Sequence, residues 1–416
     1  MLVGLVVFAA VYALLAIPRL GRLLRQGAAA RWGRLGERAL SRPGIAIAGA
    51  LLVVALLQVT PRAALAAIDW RTLALLLGMM LLVAALDVAN VFAVLASALA
   101  RVLPTPRRLL VGTMLVVAAL SALVLNDAVV LLFTPVLVRA ARAMGVTPIP
   151  FLVGEALAAN LGSSATPTGN PQNALIASHQ GLSFLAFAAP LLPLALLGLA
   201  IGTGACLLAF RKDLRGAAAP ASAPEARITN RPMFGIALVA VALALVGFLA
   251  GPLLRAPLWA VALGCGALAL ASAPVARVSP ARLARKVDLG ILVFFVGLFV
   301  LLEVVKGSGL LSRLASGLAG AGSAGFVVVT ALLSNVVSNV PAVLLLLPTI
   351  TSDHQALLLA AASTFAGNLT FLGSAATVIV AETARHEGSD FSVLRFTLVG
   401  APVAILTLAL AWIMLG

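Results

Sequence analysis

The sequence has little charge, few cysteines and few histidines. Only 10% of its 416 residues are charged, and 62% are hydrophobic, whereas soluble domains carry about a quarter charged residues. Cys206 and Cys265 both lie in apolar stretches, which argues against a disulfide framework or a metal site. The three histidines (His179, His354, His386) lie in separate segments. Because the sequence shows no metal cluster and no nucleophile–base constellation, we expect neither an enzyme nor a resident cofactor.

Long apolar segments dominate the sequence. Segments of 16 or more apolar residues recur along the whole chain, long enough for helices that cross a hydrocarbon layer of ~30 Å. This pattern predicts an all-α polytopic membrane protein whose partner is the lipid bilayer. Residues 1–17 could be a signal peptide, but they lack a basic start and Arg19 and Arg22 follow, so we expect a retained first helix.

The formal net charge of +15 would indicate a nucleic-acid partner in a soluble protein. Here the positive-inside rule accounts for it, and no nucleic acid is expected. If the N-terminus is outside, most of the 28 Lys and Arg residues fall on the inner side, and the exceptions are Arg62, Arg71, Arg255, Lys306 and Arg313. The distribution predicts a multi-pass protein of the bacterial plasma (inner) membrane with both termini outside.

The chain is predicted to consist of two repeats joined by a short linker. An N-terminal helix and basic cytoplasmic loop (1–43) precede the first repeat (44–210), a flexible cytoplasmic linker (211–231) and the second repeat (232–416). Each repeat is predicted to contain a re-entrant hairpin, at 108–141 and 322–350. Each also contains a transmembrane helix broken by polar residues, at 149–178 and 357–384.

Polar residues recur at nearly constant offsets in the two halves. Asp69 and Asp288 are 219 residues apart, Asn126 and Asn339 are 213 apart, and Asn160 and Asn368 are 208 apart. Such recurrence indicates an internal repeat. Each half contains five predicted crossings, an odd number, so the second repeat is predicted to have inverted topology.

The two polar breaks are the main candidates for a binding site. A helix broken within the membrane exposes amide donors at one new end and carbonyl acceptors at the other. Such ends suit an anion and a cation such as Na⁺, respectively. Alternatively, the breaks are kinks packed against neighbours. A phosphate loop at 162–168 is excluded because no lysine follows it. The predicted site residues are Asn160, Gly162, Ser163, Thr166, Gly169, Asn170, Asn173, Asn368, Thr370, Gly373, Ser374 and Thr377.

The hairpin tips add further candidates, Asn126 with Asp127 and Ser338 with Asn339. An ionisable group at the depth of Asp127 often lines a pathway or binds a coupling ion. Asp127 could bind Na⁺, take up a proton, or only cap the second hairpin arm. Glu155, five residues before Asn160, is the second coupling candidate, although it could simply face the cavity mouth. Because no Lys or Arg lies near either break, a substrate would rest on helix dipoles, amides and hydroxyls.

Three segments resemble the ion transporter superfamily, which includes arsenite/antimonite permeases, divalent anion/sodium symporters, citrate transporters and some sodium/proton antiporters. They are the hairpin Leu125-Asn-Asp-Ala-Val-Val-Leu-Leu-Phe-Thr-Pro135 and the breaks at 159–173 and 367–377. The resemblance implies a scaffold and a mobile transport unit, with ligand held between hairpin tips and broken helices. It also implies a homodimer, since members are often dimeric. Dicarboxylate symporters carry Ser-Asn-Thr at each tip, and this chain does not.

The sequence therefore predicts a secondary active transporter that works by alternating access. Its substrate would be a small inorganic or organic anion, or a neutral oxyacid such as arsenite or antimonite, and transport would be coupled to H⁺ or Na⁺. Na⁺ is thus the one ion that the site could be expected to hold. The alternative is a Na⁺/H⁺ antiporter of the same superfamily, which would carry no oxyanion or organic substrate.

Overall fold

The first half of the protein is a succession of helices. The computed structural model describes residues 2–16, 41–57, 60–215, 226–306 and 310–416. The first-half helices are α1 (Leu2–Ala16), α2 (Arg42–Leu57), α3 (Pro61–Ala66), α4 (Trp70–Val88), α5 (Val91–Val102), α6 (Pro106–Leu123), α7 (Asn126–Ala143), α8 (Ile149–Ser163), α9 (Pro171–Gln180) and α10 (Phe184–Ala209).

The second half is also helical throughout its described residues. Its helices are α11 (Arg231–Leu254), α12 (Leu258–Ser272), α13 (Pro280–Ala284), α14 (Leu289–Lys306), α15 (Leu310–Val337), α16 (Asn339–Leu346), α17 (Asp353–Ala366), α18 (Ala375–His386) and α19 (Val393–Leu415). Short 3₁₀ turns follow α12 and α16, at Ala273–Ala276 and Leu347–Thr349.

Seven helices in the described ranges are long and apolar enough to cross a membrane. They are α4, α6, α10, α11, α12 with its 3₁₀ turn, the Gly320–Val337 part of α15, and α19. These helices expose large apolar side chains such as Leu243, Val246 and Leu398, as expected for helices that contact lipid. The prediction of an all-α polytopic membrane protein is confirmed.

One group of helices packs through small residues. A methyl group on Gly78 of α4 would overlap the backbone of Ala262 in α12, and one on Gly297 of α14 would overlap Ala46 in α2. Without a hydrophobic driving force in lipid, such close backbone approach is how membrane helices gain contact. Helices α1, α2, α4, α11, α12 and α14 form this group, here called the outer group.

The remaining long helices surround α8 and α17, which are buried along nearly their whole length. Helices α6, α7, α10, α18 and α19 pack against α8, and α15, α16 and α19 pack against α17. These helices form the inner group. Helix α8 ends at Ser163 and α9 begins at Pro171, while α17 ends at Ala366 and α18 begins at Ala375. The chain is therefore interrupted near 161–170 and 369–374, where the sequence predicted the breaks.

The structure adds detail to two segments. Helix α15 consists of two helical stretches separated by a kink at Gly322 (φ 64°), the position at which the second hairpin was predicted to begin. The linker is not free along its whole length: the Thr229 hydroxyl donates to the Val88 carbonyl (3.2 Å) and Asn90 Nδ2 donates to the Arg227 carbonyl (3.0 Å). These bonds dock residues 226–230 on the end of α4, because that end leaves carbonyls to satisfy. Residues 17–40 and 216–225 lie outside the described residues.

Candidate functional site

The first break is held together by its own side chains. Asn170 caps α9, and its Oδ1 accepts from the Asn173 backbone N–H at 2.8 Å. Asn173 Nδ2 in turn donates to the carbonyls of Ser163 and Thr166, both at 3.0 Å. The amide of Asn173 thus satisfies one carbonyl at the end of α8 and one within the break, as buried polar groups require.

The second break is hydrogen-bonded to the second hairpin, and its second helix has no side-chain cap. Asn335 of α15 donates from Nδ2 to the Ala366 carbonyl (3.0 Å) and accepts from the Thr370 hydroxyl (2.7 Å). Ser374 stands at the N-cap of α18 but makes no capping bond with its side chain. The N-terminus of α18 therefore keeps its partial positive charge without a side-chain acceptor, unlike that of α9.

The two breaks bond directly to each other in the buried centre of the inner group. Asn160 Nδ2 donates to Asn368 Oδ1 at 2.8 Å, and the Ser374 hydroxyl donates to Asn160 Oδ1 at 2.8 Å. The Thr364 hydroxyl lies 3.3 Å from Gln172 Nε2, which donates to it. Residues more than 190 positions apart in the sequence thus form one hydrogen-bonded network, here called the central network.

The first hairpin tip reaches this centre. The Asn126 N–H donates to the Gly169 carbonyl (2.9 Å), and Asn126 Nδ2 donates to the Ser163 hydroxyl (3.4 Å). From the other side, the Thr166 hydroxyl donates to the Ala122 carbonyl of the hairpin. The tip therefore lies at the depth of the break.

The second hairpin tip makes comparable contacts through Asn339. In the orientation of its amide that satisfies its neighbours, its nitrogen donates to the Ser363 carbonyl (3.1 Å) and to the carbonyl of Gly373, and its oxygen accepts from Gln172 Nε2 (3.1 Å). Asn126 bonds to Gly169 and Asn339 to Gly373, so equivalent tips meet equivalent glycines. These contacts agree with the repeat, but its inverted orientation stays a prediction.

Glycines permit the close approach of hairpin and break. A methyl group on Gly162 would overlap the backbone of Ala118 in α6, and one on Gly169 would overlap the backbone of Ser163. A methyl group on Gly373 would come within 2.7 Å of Asn335 Oδ1. At these positions, glycine is required by space rather than by dihedral angle.

The centre contains donors that lack partners. Among the described residues, Asn368 Nδ2 and Thr377 Oγ1 are buried without a hydrogen-bond partner, and so is Ser121 Oγ of the first hairpin. Thr377 lies in the first turn of α18, and Asn368 joins the same helix end through Asn160 and Ser374. Buried polar groups in native proteins are nearly always satisfied, so these three groups are candidates for contact with a ligand.

The other predicted residues lie at the edge of the centre or outside it. Asp127 is half-buried in the first turn of α7, where its N–H donates to Asn126 Oδ1 (2.9 Å). Ser338 is half-buried with φ 76°, a value that usually requires glycine. Glu155 is fully buried in α8, with its Oε2 2.9 Å from the Thr134 hydroxyl. In the described residues, no group of three or more His, Cys, Asp or Glu could hold a metal ion.

Sequence reasoning missed four residues in and beside the central network. Thr364 and Gln172 belong to it, while Ser334 bonds to the Ser363 carbonyl and Asn335 to Thr370 of the second break. Ser334 and Asn335 stand shortly before the second tip, and Thr364 stands four residues before Asn368. Thr364, Ser334 and Asn335 had an available signal, since each is a polar residue inside an apolar run, four residues before a predicted site residue. Gln172 lies between the predicted residues Asn170 and Asn173.

Comparison with known proteins gives a consistent answer. The citrate transporter family model (CitMHS) matches residues 29–356. An uncharacterized transporter of Mycobacterium tuberculosis is 30% identical over 404 residues, which cover 89% of this chain and 92% of that protein. The silicon efflux transporter LSI3 of rice is 28% identical over 456 residues, covering 91% and 93%.

Two further similarities are partial or structural. A Dictyostelium discoideum transporter designated arsB is 33% identical over 176 residues, which cover 42% of this chain and 31% of that protein. The crystal structure of the Alcanivorax borkumensis YdaH transporter superposes with a TM-score of 0.54 at 17% identity, covering 89% of this chain and 95% of that chain. The last similarity concerns the fold alone.

Proposed function

The chain belongs to the citrate transporter family, and from this membership we propose that it is a secondary active transporter for a small anion or a neutral oxyacid. The predicted resemblance to the ion transporter superfamily is confirmed by the same match and by the transporter relatives. The substrate, the coupling ion and the mechanism are the parts that we propose.

The observation that carries the proposal is that the second break contains hydrogen-bond donors without acceptors. Asn368 Nδ2, Thr377 Oγ1 and the uncapped N-terminus of α18 are donors that the described protein leaves without acceptors. A helix N-terminus with additional donors is suited to oxygen atoms that carry partial or full negative charge. We propose that an oxyanion or oxyacid bound there accepts hydrogen bonds from these donors.

The composition of the central network favours a substrate of low charge. Its members are amides, hydroxyls and backbone groups, with neither Lys nor Arg among the bonding partners described above. Multiply charged carboxylates are usually held by cationic side chains, which pair with them bidentately, so citrate itself is a poorer match. A relative that is a silicon efflux transporter supports a neutral hydroxy acid, because hydroxyls exchange hydrogen bonds with amides without a charge to neutralise.

Transport by alternating access would divide the molecule along the two helix groups. The inner group together with α9 holds both breaks and both tips, whereas the outer group packs mainly on itself. We propose that the inner group carries the ligand against the outer group, driven by a gradient of H⁺ or Na⁺. We further propose the plasma (inner) membrane as the location, with a homodimer as the assembly.

The test is flux into proteoliposomes that contain the purified chain. Arsenite, germanic acid, phosphate and citrate serve as probes under an inward H⁺ or Na⁺ gradient. We expect gradient-dependent uptake of a neutral oxyacid and little uptake of citrate. Absence of uptake of every probe under both gradients would contradict the proposal. If Na⁺ addition alone releases protons from acid-loaded vesicles while no probe enters, the chain is a Na⁺/H⁺ antiporter instead.

Matched variants connect the flux to the second break. Thr377→Val removes the orphaned hydroxyl, and we expect it to lower uptake about two- to tenfold, since one lost hydrogen bond to a ligand costs about 0.5–1.5 kcal/mol. Thr407→Val is the control, because Thr407 is equally buried but bonds only to carbonyls of its own helix, at Val403 (2.8 Å) and Ala404 (3.1 Å). Equal loss of uptake in both variants would show that the Thr377 hydroxyl has no specific role in transport.

A further inference from the structure

Glu155 carries a carboxyl group that is fully buried from solvent. It lies in the middle of α8, is 0% exposed, and stands five residues, or about 7 Å along the helix axis, before Asn160 of the central network. Its Oε1 has no hydrogen-bond partner, and its Oε2 contacts the Thr134 hydroxyl of α7 at 2.9 Å. The proposed function does not yet use this group.

The hydrogen at Thr134 can be assigned by counting protons. Thr134 Oγ1 lies 2.7 Å from the Val130 carbonyl, one turn earlier in α7, and 2.9 Å from Glu155 Oε2. A hydroxyl has one proton and can also accept. If Thr134 donates to the Val130 carbonyl, which has no proton of its own, Glu155 must donate to Thr134. The carboxyl then carries a proton on Oε2, and both short contacts are satisfied.

The alternative assignment is unfavourable. If Thr134 donated to a charged carboxylate, Glu155 would hold a full negative charge with one hydrogen bond and no cation beside it. Buried charges in proteins are otherwise paired and fully hydrogen-bonded. The neutral acid is therefore the form that fits this conformation.

Charged groups on the elements packed against α8 do not supply a counter-charge. The basic side chains on α6, α7, α18 and α19 are exposed: Arg107, Arg108, Arg139, Arg142, Arg385 and Arg395. Of these, Arg139 pairs with Glu387 and Arg395 with Asp213. The titratable side chains on α7, α17 and α18 are Asp127, Asp353, His354, Glu382 and His386; all are exposed except half-buried Asp127.

We propose that Glu155 is the site that binds the coupling proton of transport, with Thr134 as the group that accepts its hydrogen bond in the occluded form. This inference rests on the proposed function. Uptake forms the O–H bond at Oε2 with a proton taken from water, and release returns that proton to water when the site is hydrated. The counterpart position in the second half is Ser363, whose hydroxyl donates to the Ala360 carbonyl, so that position carries no carboxyl.

The decisive measurement is infrared spectroscopy of the intact protein in lipid at neutral pH. We expect a protonated-carboxyl C=O band that is present in the wild type and missing in Glu155→Gln. Glu382→Gln, which alters an exposed carboxyl, should keep the band. Thr134→Val should move the band to higher frequency because the acceptor is lost, while Thr134→Ser should leave it in place. A wild-type spectrum without a band that depends on Glu155 would overturn the proposal.

Melting temperature and gel-filtration profile show whether Glu155→Gln is folded. If it is not folded, the test is the difference in carboxyl band frequency between Thr134→Val and Thr134→Ser. An equal frequency in both variants refutes the assignment. In vesicles, arsenite serves as the probe: Glu155→Gln should equilibrate arsenite but lose accumulation driven by a pH gradient. If wild-type vesicles take up no probe at all, the proposed function fails while the infrared result still stands, so the two failures are distinguishable.

Discussion

Asn160 uses both ends of its amide to join the two halves of the chain. It donates to Asn368 and accepts from Ser374, both at 2.8 Å and both fully buried. Asn160→Ala leaves two buried partners unsatisfied, so we expect a loss of about 1–3 kcal/mol of stability. Thermal unfolding in detergent measures this loss.

Ser374→Ala removes only one of these bonds, and its cost should be smaller, about 0.5–1.5 kcal/mol. The double variant should cost less than the sum of the single variants because they share one bond. Strict additivity would show that Asn160 and Ser374 do not interact.

Gly162 provides a second test at single-residue scale. A methyl group there meets the backbone of Ala118, which cannot rotate away. Gly162→Ala should therefore destabilise the protein by about 1–3 kcal/mol. Gly204→Ala in α10 is the matched control, since no atom lies within 4 Å of the added carbon, and it should stabilise by about 0.4–1 kcal/mol. Melting temperatures that move in the same direction would refute this packing argument.

Single residues also show the limit of sequence reasoning. Asn160 and Asn368 were predicted as site residues because each begins a polar break, but their bond to each other requires knowledge of how the halves face one another. Thr134 had no distinguishing sequence signal, because a threonine in an apolar helix usually bonds to its own backbone. Its contact with Glu155 depends on the packing of α7 against α8, which local patterns do not specify.

At the scale of helices, an ion pair joins the first hairpin to the end of the second broken helix. Arg139 at the end of α7 lies 3.2 Å from Glu387, just after α18, and Arg142 donates to the Gly388 carbonyl at 2.6 Å. Both side chains of the pair are partly exposed, so their coupling energy should stay below about 1 kcal/mol and fall with added salt.

The pair can be tested by exchanging its charges. Arg139→Glu should lower the melting temperature slightly because it places two acids side by side, and the double variant Arg139→Glu/Glu387→Arg should restore it. Melting curves at low and high salt measure both effects. A double variant as impaired as Arg139→Glu would show that these residues contribute through something other than their charges.

Helices were predicted well where their sequence signals are strong. The ends of α8 and α9 follow from Gly162, Pro171 and the intervening hydroxyl residues, and those of α17 and α18 from a similar segment. In α15, a single glycine with positive φ, Gly322, bends the chain while the apolar pattern continues on both sides. The docking of residues 226–230 was missed since an Ala-Pro-rich segment carries no signal of its contacts.

At the scale of the whole molecule, the orientation in the membrane stays a prediction from the charge distribution. In a background without Cys206 and Cys265, a cysteine at Gly416 should react with an impermeant maleimide added to intact cells. A cysteine at Ser222 should react only after the membrane is opened. The asymmetry of Lys and Arg requires this result under the positive-inside rule. The reverse labelling pattern would invert the topology and exclude termini on the outside.

The unequal completion of the two breaks has a consequence for inhibition. The first break is closed by Asn170 and Asn173, whereas the second presents an uncapped helix end with idle donors. A compact, acceptor-rich blocker is therefore expected to bind at the N-terminus of α18, and resistance is expected to arise first through Asn368, Ser374 and Thr377.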